Sequence, residues 1–329
     1  MINYNGNFKD QPLDHFNNRG FLFGDSVFET IKVIDNKIIY WEEHYLRLMS
    51  SMRILRIQIP SLYTPDFFEE EIRKTNLKID SFFNGRVRLT IFRTKGEVYR
   101  PDSNEPIFVI NSKKTDQKLF NVNLQSYKVD LFKDYLIQSN LISNLKTNNR
   151  VVNVIGSIYA KENDLENCIL LNDQKFVAQF LNGNIFIVKD SLVKTPTISS
   201  GCLNGVMRNK IIELINKLPN LEIEEKNFSP YELISSDEIW VSNSISGIIP
   251  VTEYRKKLFS NYGAETLYSE GLVIKTSLNT NLQQLAEESL IEGLIKYDKI
   301  QGWRGVIRNT DDDNIIFEDV IKKIKNPFP

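Results

Sequence analysis

The residue with the greatest chemical potential in this sequence is a lysine. Lys146 stands in "SNLKTNN", between an apolar approach and a predicted helix. A primary amine can form a Schiff base with a carbonyl compound, and its pKa falls when it is desolvated near other cations. Taken alone, a lysine at a helix start is usually solvated. Other segments must therefore decide whether Lys146 is reactive.

Two further segments offer polar groups that could surround a small molecule. In "SSGCLNGVMRNK", Gly205 leads directly into a helix, so the backbone N–H groups of Val206 and Met207 could hold a phosphate. In "EIWVSNSISGIIPV", a strand ends in a run of hydroxyl and amide side chains that includes Ser244. Many helices begin after glycine, and strand-end hydroxyls usually cap backbone groups, so each signal is weak alone.

Gln179 occupies an unusual position for a polar side chain. It lies in "KFVAQFLNGNIF", where two apolar pieces flank an Asn-Gly turn and predict a β-hairpin. An apolar or β-branched residue would pack more comfortably inside the first strand. The amide therefore needs a reason that the local pattern does not supply.

These residues must be positioned by a mixture of strands and helices. The pattern predicts an α/β or α+β protein with a domain at 1–111, a polar linker at 112–118 and a second domain at 119–261. Predicted helices cover 42–56, 65–77 and 147–162, with another after Gly205 and one that starts at Ser229-Pro230. Predicted strands cover 20–34, 86–93, 106–111, 168–172 and 238–243.

The charge balance and the apolar content of the chain bear on which partners it can bind. The 329 residues carry 41 basic and 42 acidic side chains, which gives no electrostatic case for a nucleic-acid or membrane-surface partner. No apolar run reaches the ~18 residues of a membrane span, and no secretory leader opens the chain. Cys168 and Cys202 are expected to be buried, reduced thiols. We therefore expect a cytoplasmic protein.

Six segments in one order carry a family resemblance. They are "NRGFLFGDSVFETIKV", "EEHYLRLMSSM", "SNLKTNN", "LLNDQKFVAQFLNGNIF", "KTPTISSGCLNGVMR" and "SSDEIWVSNSISGIIPV". Together they resemble the class IV, or fold type IV, pyridoxal-phosphate enzymes, over roughly residues 1–261. That family includes branched-chain and D-amino acid aminotransferases and aminodeoxychorismate lyase. The resemblance implies a small N-terminal α/β domain, a larger pseudo-barrel domain, pyridoxal phosphate between them, and a homodimer whose partner chain helps to close the site.

The resemblance also implies roles for individual residues. Lys146 matches the lysine that forms a Schiff base with the cofactor and later shuttles a proton. Arg47 matches a phosphate-binding arginine, and Val206 and Met207 match the helix N-terminus that binds the same phosphate. Gln179 falls where the family carries a glutamate that pairs with the cofactor's ring nitrogen. The other matches are Ser244 near the phosphate and substrate, Ile245 on the pocket wall, and Phe28, Arg93 and Tyr99 on the substrate side. The resemblance implies no metal site.

Two positions depart from the family pattern. Gln179 can form a hydrogen bond with the ring nitrogen but cannot stabilise its positive charge as a carboxylate does. Val151 stands five residues after the lysine, where many aminotransferases of the family carry a tyrosine. Both departures raise the alternative of a catalytically impaired protein.

The C-terminal segment follows a different pattern. Residues 262–329 form an extension, and about 262–310, with "GLVIKTSL" and "GWRG", resemble the connector of class A penicillin-binding proteins. No Ser-x-x-Lys motif accompanies it, so no cell-wall activity is inferred. The segment is either a fusion or mis-assembled reading frame, or a family extension that matches by chance.

The sequence therefore predicts a pyridoxal-phosphate aminotransferase acting on an amino acid and a 2-oxo acid. Two alternatives stay open. One is a lyase that releases pyruvate and 4-aminobenzoate from aminodeoxychorismate. The other is a non-catalytic or chimeric protein that has lost the activity.

Overall fold

The computed structural model describes residues 2–4, 7–9, 18–96, 98–115, 126–219 and 221–255. The helices are α1 (Arg19–Phe23), α2 (Trp41–Ile54), α3 (Pro65–Leu77), α4 (Val151–Glu162), α5 (Val206–Ile215) and α6 (Pro230–Ser235). The strands are β1 (Ile2–Tyr4), β2 (Asn7–Lys9), β3 (Ser26–Ile34), β4 (Lys37–Ile38), β5 (Gly85–Arg93), β6 (Pro106–Lys114), β7 (Lys128–Ile137), β8 (Asn167–Asn172), β9 (Val177–Phe180), β10 (Asn184–Lys189), β11 (Leu192–Thr195), β12 (Glu222–Glu225), β13 (Glu238–Asn243), β14 (Gly247–Pro250) and β15 (Glu253–Tyr254). The segment 262–310, with its resemblance to another protein class, lies outside the described residues.

An antiparallel sheet of order β4–β3–β5–β6 organises the first part of the chain. Helices α2 and α3 cover one of its faces, and their apolar residues share a core with the odd-numbered residues of β3, such as Val27 and Ile31. Successive residues of a strand point to opposite faces. Phe28, Thr30 and Lys32 therefore lie together on the other face of the sheet.

Two further sheets enclose a second core. Their orders are β15–β7–β8–β9 and β12–β11–β10–β13–β14. Ile169 and Phe180 from the first of them share a cluster with Ile185 and Val241 from the second. Helix α4 packs on the sheet that contains β7 and β8, and α5 packs on the sheet that contains β10 and β13. None of the described helices combines the length and apolarity that a membrane-spanning helix needs.

The hairpin predicted across the Asn-Gly turn is wrong. Strand β9 pairs with β8, whereas β10 pairs with β11 and β13 in the other sheet. The chain changes sheet at residues 181–183, where the N–H of Phe180 donates to the carbonyl of Gly183 at 2.8 Å. Both pieces are apolar because they face the same core from opposite sheets, a pattern that a hairpin would also produce.

Three predicted boundaries also shift. Residues 19–23 form a helix instead of the first part of a strand, because Asn18 caps its start and Gly24, at φ 62°, ends it. Helix α4 begins at Val151 and not at 147, because the preceding residues bond to β3. Strand β6 continues through Lys114, so residues 112–114 of the predicted linker belong to the sheet.

Candidate active site

Lys146 lies in an irregular segment before α4 that is fixed by strand β3. Its carbonyl accepts a hydrogen bond from the N–H of Phe28 at 2.8 Å, and Thr147 forms a β-bridge with Val27. The Lys146 amine lies 4.7 Å from the centroid of the Phe28 ring. The lysine is partly buried. Its backbone is thus held on both sides while its side chain reaches the open face of the first sheet.

The surroundings of Lys146 are strongly cationic. Burial lowers the pKa of Lys146 to about 7, and the charges of Arg47, Arg150 and Arg88 add to this effect while Glu29 opposes it. An amine with a pKa near 7 is substantially uncharged at neutral pH, and only the uncharged amine is a nucleophile. The site therefore contains the reactive form of a lysine.

Arg47 is held by a buried carboxylate. Glu29, on β3, accepts hydrogen bonds from Arg47 Nε at 2.8 Å, from Arg47 Nη2 at 2.5 Å and from His44 Nδ1 at 2.7 Å. Burial raises the pKa of Glu29, but Arg47 and then His44 outweigh it and bring the value to about 2. Arg47 also donates through Nη1 to the carbonyl of Asn204 at 2.8 Å. The guanidinium thus links α2 to the segment that precedes α5.

The start of α5 presents open backbone donors next to that link. Gly205 is the N-cap and no side chain caps the helix. Within the described residues, the N–H groups of Val206 and Met207 have no hydrogen-bond acceptor. A Cβ at Gly205 would collide with Oδ1 of Asn184, so only glycine fits between that amide and the helix start. Free N–H groups at a helix N-terminus suit a phosphate.

Gln179 lies beside the same segment. Its Oε1 accepts a hydrogen bond from the N–H of Leu203 at 2.8 Å, and the residue is 6% exposed. Ser244 and Ile245 lie in the turn between β13 and β14, where Asn243 Oδ1 accepts from the N–H groups of Ile245 and Ser246. The roles of Gln179, Ser244 and Ile245 toward a cofactor or substrate stay predictions.

Two predicted substrate residues are engaged elsewhere. Arg93 donates to both oxygens of Asp25, to the carbonyls of Leu55 and Arg56, and to Oδ1 of Asn104. Tyr99 is 89% exposed, and its carbonyl accepts from Arg19. The structure does not show either side chain in contact with Lys146. Their substrate-side roles stay predictions.

The chain shares its sequence with known proteins over most of this region. The profile of the family described as Amino-transferase class IV matches residues 26–254. This chain belongs to the class IV aminotransferase family. A protein of Methanocaldococcus jannaschii assigned as a branched-chain-amino-acid aminotransferase is 28% identical over 272 residues, which are 79% of this chain and 90% of that protein. An aminodeoxychorismate lyase of Vibrio harveyi is 26% identical over 71% of this chain and 84% of the lyase.

The fold belongs to the same class IV family. The crystal structure of a branched-chain aminotransferase from Thermoproteus uzoniensis aligns with a TM-score of 0.71 at 19% identity, covering 88% of this chain and 92% of that one. The mixed α/β architecture with two curled sheets around a second core is that of fold type IV enzymes. The predicted fold class is therefore confirmed.

Pyridoxal phosphate is the cofactor of the class IV family, and the residues present fit it. Lys146 supplies an amine of near-neutral pKa, which Schiff-base formation needs. Arg47 and the open N–H groups of Val206 and Met207 supply donors for a phosphate dianion. The donor set thus matches both the aldehyde end and the phosphate end of the cofactor.

Sequence reasoning missed part of this class IV site. Glu29, His44, Arg88, Arg150 and Asn204 were not among the predicted residues. Arg150 donates through Nε to the carbonyl of Thr147 at 3.1 Å and through Nη2 to that of Leu145 at 2.6 Å. The guanidinium of Arg88 lies 3.6 Å from the centroid of the Phe28 ring. A carboxylate in the apolar run of β3 was a usable signal for Glu29, because such a residue needs a buried cation.

Proposed function

We propose that this class IV enzyme moves an amino group between an amino acid of the branched-chain or D-amino acid type and a 2-oxo acid. The observation that carries the proposal is the Lys146 amine, with a pKa of about 7, over the Phe28 ring. The relative from M. jannaschii supports the branched-chain alternative.

Each residue around Lys146 has a separate task in this proposal. Arg47 and the N-terminus of α5 anchor the cofactor's phosphate, and Phe28 forms an apolar wall beside the amine. Lys146 would hold the cofactor through its amine, and the same amine is the group that would move a proton to and from the substrate carbon. Bound pyridoxal phosphate supplies the electron sink that makes this proton acidic. Arg88 receives a substrate carboxylate, since its described side-chain hydrogen-bond partner is the neutral Asn148 Oδ1.

Gln179 is assigned to the ring nitrogen of the cofactor. Its Oε1 accepts a hydrogen bond from the N–H of Leu203 and keeps a second lone pair, and we assign the amide NH2, which only donates, to the cofactor. A donor pairs with an unprotonated pyridine nitrogen. The electron sink would then be weaker than in relatives with glutamate at this position.

A lyase acting on aminodeoxychorismate is the second candidate, and the charge balance favours it. Three arginines, Arg47, Arg88 and Arg150, lie close enough to Lys146 to lower its pKa, and among the described residues Glu29 is the carboxylate that opposes them. Aminodeoxychorismate carries two carboxylates, which suits such an excess of positive charge. The V. harveyi relative supports this candidate.

A homodimer in the cytoplasm completes the proposal. Helix α4 exposes the apolar side chains of Val151, Val154 and Ile158, which recur on one side of the helix. A partner chain would cover this stripe and help to close the site. Cys168 and Cys202 are free, buried thiols, as a reducing compartment allows.

One experiment separates these activities. Purified protein with pyridoxal phosphate is titrated with L- and D-amino acids while the cofactor spectrum is recorded. Conversion of the cofactor by an amino acid, reversed by a 2-oxo acid, supports the aminotransferase. Pyruvate release from aminodeoxychorismate without an oxo acid acceptor supports the lyase. Retained cofactor with neither reaction would contradict both.

A further inference from the structure

The candidate phosphate site is assembled from two helices that rest on different sheets. Helix α2 packs on the sheet β4–β3–β5–β6, whereas α5 packs on the sheet that contains β10 and β13. Arg47 lies on α2, and the open backbone N–H groups lie at the start of α5. A phosphate that is bound by both would therefore depend on how the two helices are held together.

An ion pair joins these two helices next to the site. Lys210 on α5 is paired with Glu43 on α2, and the two side chains are 16% and 33% exposed. Glu43 precedes Arg47 by four residues, so both lie on the same side of α2. Arg47 donates to the carbonyl of Asn204, just before α5, and Lys210 lies about one turn into α5. The helices are thus joined at two successive turns.

Tyr40 adds an apolar contact between the same helices. It is the N-cap residue of α2, and its side chain packs against the cluster that α5 forms with Phe186 and Trp240. The Lys210 Nζ lies 5.6 Å from the centroid of the Tyr40 ring. The start of α2 is therefore held against α5 by packing as well as by charge.

Lys210 has a second carboxylate partner, which lies on its own helix. Glu213 accepts from Lys210 at 3.1 Å, three residues further along α5. Burial lowers the pKa of Lys210, but Glu43 and then Glu213 outweigh it and raise the value above its ordinary range. The two carboxylates differ in what they join. Glu213 holds Lys210 within one helix, whereas Glu43 holds α5 against α2.

We propose that the Glu43–Lys210 ion pair positions α2 and α5 so that Arg47 and the N–H groups at the start of α5 bind one phosphate. The inference rests on the proposed function, which assigns these groups to the phosphate of the cofactor. Neither Glu43 nor Lys210 is assigned a contact with the cofactor, so both are positioning residues. A site that is already arranged for its ligand binds more tightly, because less ordering is needed on binding. Loss of the pair should weaken the hold on the phosphate and leave Lys146 unchanged.

Pyridoxal phosphate and pyridoxal, which lacks the phosphate, test this proposal on the full-length chain after bound cofactor has been removed. Absorption titrations give a dissociation constant for each compound through the Schiff base with the lysine. We expect Glu43→Gln and Lys210→Gln each to weaken pyridoxal phosphate about fivefold, the effect of a partly buried ion pair, and to leave pyridoxal unchanged. The double variant should lose no more than either single variant, because both substitutions remove the same interaction.

Glu213→Gln is the matched control, because it removes the other carboxylate of Lys210 and leaves the contact between the helices. It should bind both compounds as the wild type does. A lower melting temperature in Glu43→Gln with unchanged affinity for pyridoxal phosphate would overturn the proposal, since the pair would then only stabilise the fold. Additive losses in the double variant, or an equal loss for pyridoxal, would also overturn it. Failure of the proposed function gives a different result, namely no lysine-linked absorption in the wild-type protein.

Discussion

Two arginine–carboxylate pairs, Arg93 with Asp25 and Arg47 with Glu29, lie beside the first sheet, and they differ in what surrounds them. Arg93 pairs with Asp25 at 2.6 Å, and its other described bonds go to main-chain carbonyls and an asparagine. Arg47 pairs with Glu29 at 2.5 Å, beside a lysine whose pKa is lowered. The Arg93–Asp25 pair stabilises loops, whereas the Arg47–Glu29 pair lies next to a group of cations.

A buried ion pair is therefore not by itself a sign of function. Around Arg93, Arg19 shares Asp25 and donates its remaining bonds to the carbonyls of Gly96, Val98 and Tyr99. Around Arg47, the neighbouring cations Arg88 and Arg150 donate to neutral groups, namely an asparagine oxygen and main-chain carbonyls. Unbalanced charge next to a reactive amine is the feature that separates the site from a structural network.

The largest effect on stability is expected from the structural pair. Burial raises the pKa of Asp25, but Arg93 and Arg19 outweigh it and hold the value below the ordinary range. Asp25→Ala leaves both guanidiniums without their carboxylate and should lower the free energy of unfolding by about 3–5 kcal/mol. Denaturant unfolding measures this, and Asp25→Asn should lose less. Loss of cofactor binding in a fully stable variant would instead assign Asp25 to the active site.

The active-site pair should give a smaller, pH-dependent effect. The pKa of Glu29 is lowered from 4.5 to about 2, so its contribution is complete above pH 4.5 and is lost as the pH falls through about 2. Glu29→Gln should therefore cost on the order of 3 kcal/mol at pH 7. Unfolding curves at several pH values should show the difference from wild type shrinking below pH 4.5. A difference that is constant with pH would contradict this ion pair.

Gln179 should have a measurable effect on the reaction rate. Gln179→Glu should raise the rate of the amino-acid half-reaction by about tenfold, because a carboxylate stabilises a protonated ring nitrogen. Nitrogen-15 spectra of labelled pyridoxal phosphate should report an unprotonated nitrogen in the wild type and a protonated one in the variant. Unchanged rates together with unchanged spectra would mean that residue 179 does not contact the ring.

The smallest effect on Lys146 is expected from Arg150. Its guanidinium donates to the carbonyls on either side of Lys146 and acts on the lysine amine through its charge. Arg150→Gln should raise the pKa of Lys146 by about one unit, whereas Arg150→Lys should keep it low. The pH dependence of acetylation at Lys146 in cofactor-free protein, read by mass spectrometry, measures the shift. Arg73→Gln, on the exposed face of α3, is the control and should change nothing. An identical pKa in all four proteins would exclude the electrostatic role.

Local signals in the sequence predicted much of the fold but few of the buried side-chain hydrogen bonds and ion pairs. Helix α3 and the Ser229-Pro230 helix start follow from residues adjacent in the chain, and both predictions are confirmed. The switch of sheets between β9 and β10 could not be foreseen, because a shared core and a hairpin give the same apolar pattern. The bonds of Arg93 were equally hidden, since main-chain carbonyls such as that of Leu55 leave no mark in a sequence.

The candidate site was predicted only where residues match a family motif. Lys146 lies near enough to Arg47 for the arginine's charge to lower its pKa, and Arg47 in turn donates to the carbonyl of Asn204, just before α5. The Glu29–His44 contact joins a strand to a helix 15 residues later, and its register depends on tertiary packing. Charge balance is a property of the assembled site, so it could not be read along the chain.

We propose that Lys146 is the lysine that carries the cofactor. Lys32 is the informative competitor, because burial also lowers its pKa, to about 8. The test is to incubate the protein with pyridoxal phosphate, reduce it with borohydride and locate the modified lysine by peptide mass spectrometry. We expect stoichiometric modification of Lys146 that is absent in Lys146→Ala. Modification of Lys32 in place of Lys146, or no stable modification, would contradict it.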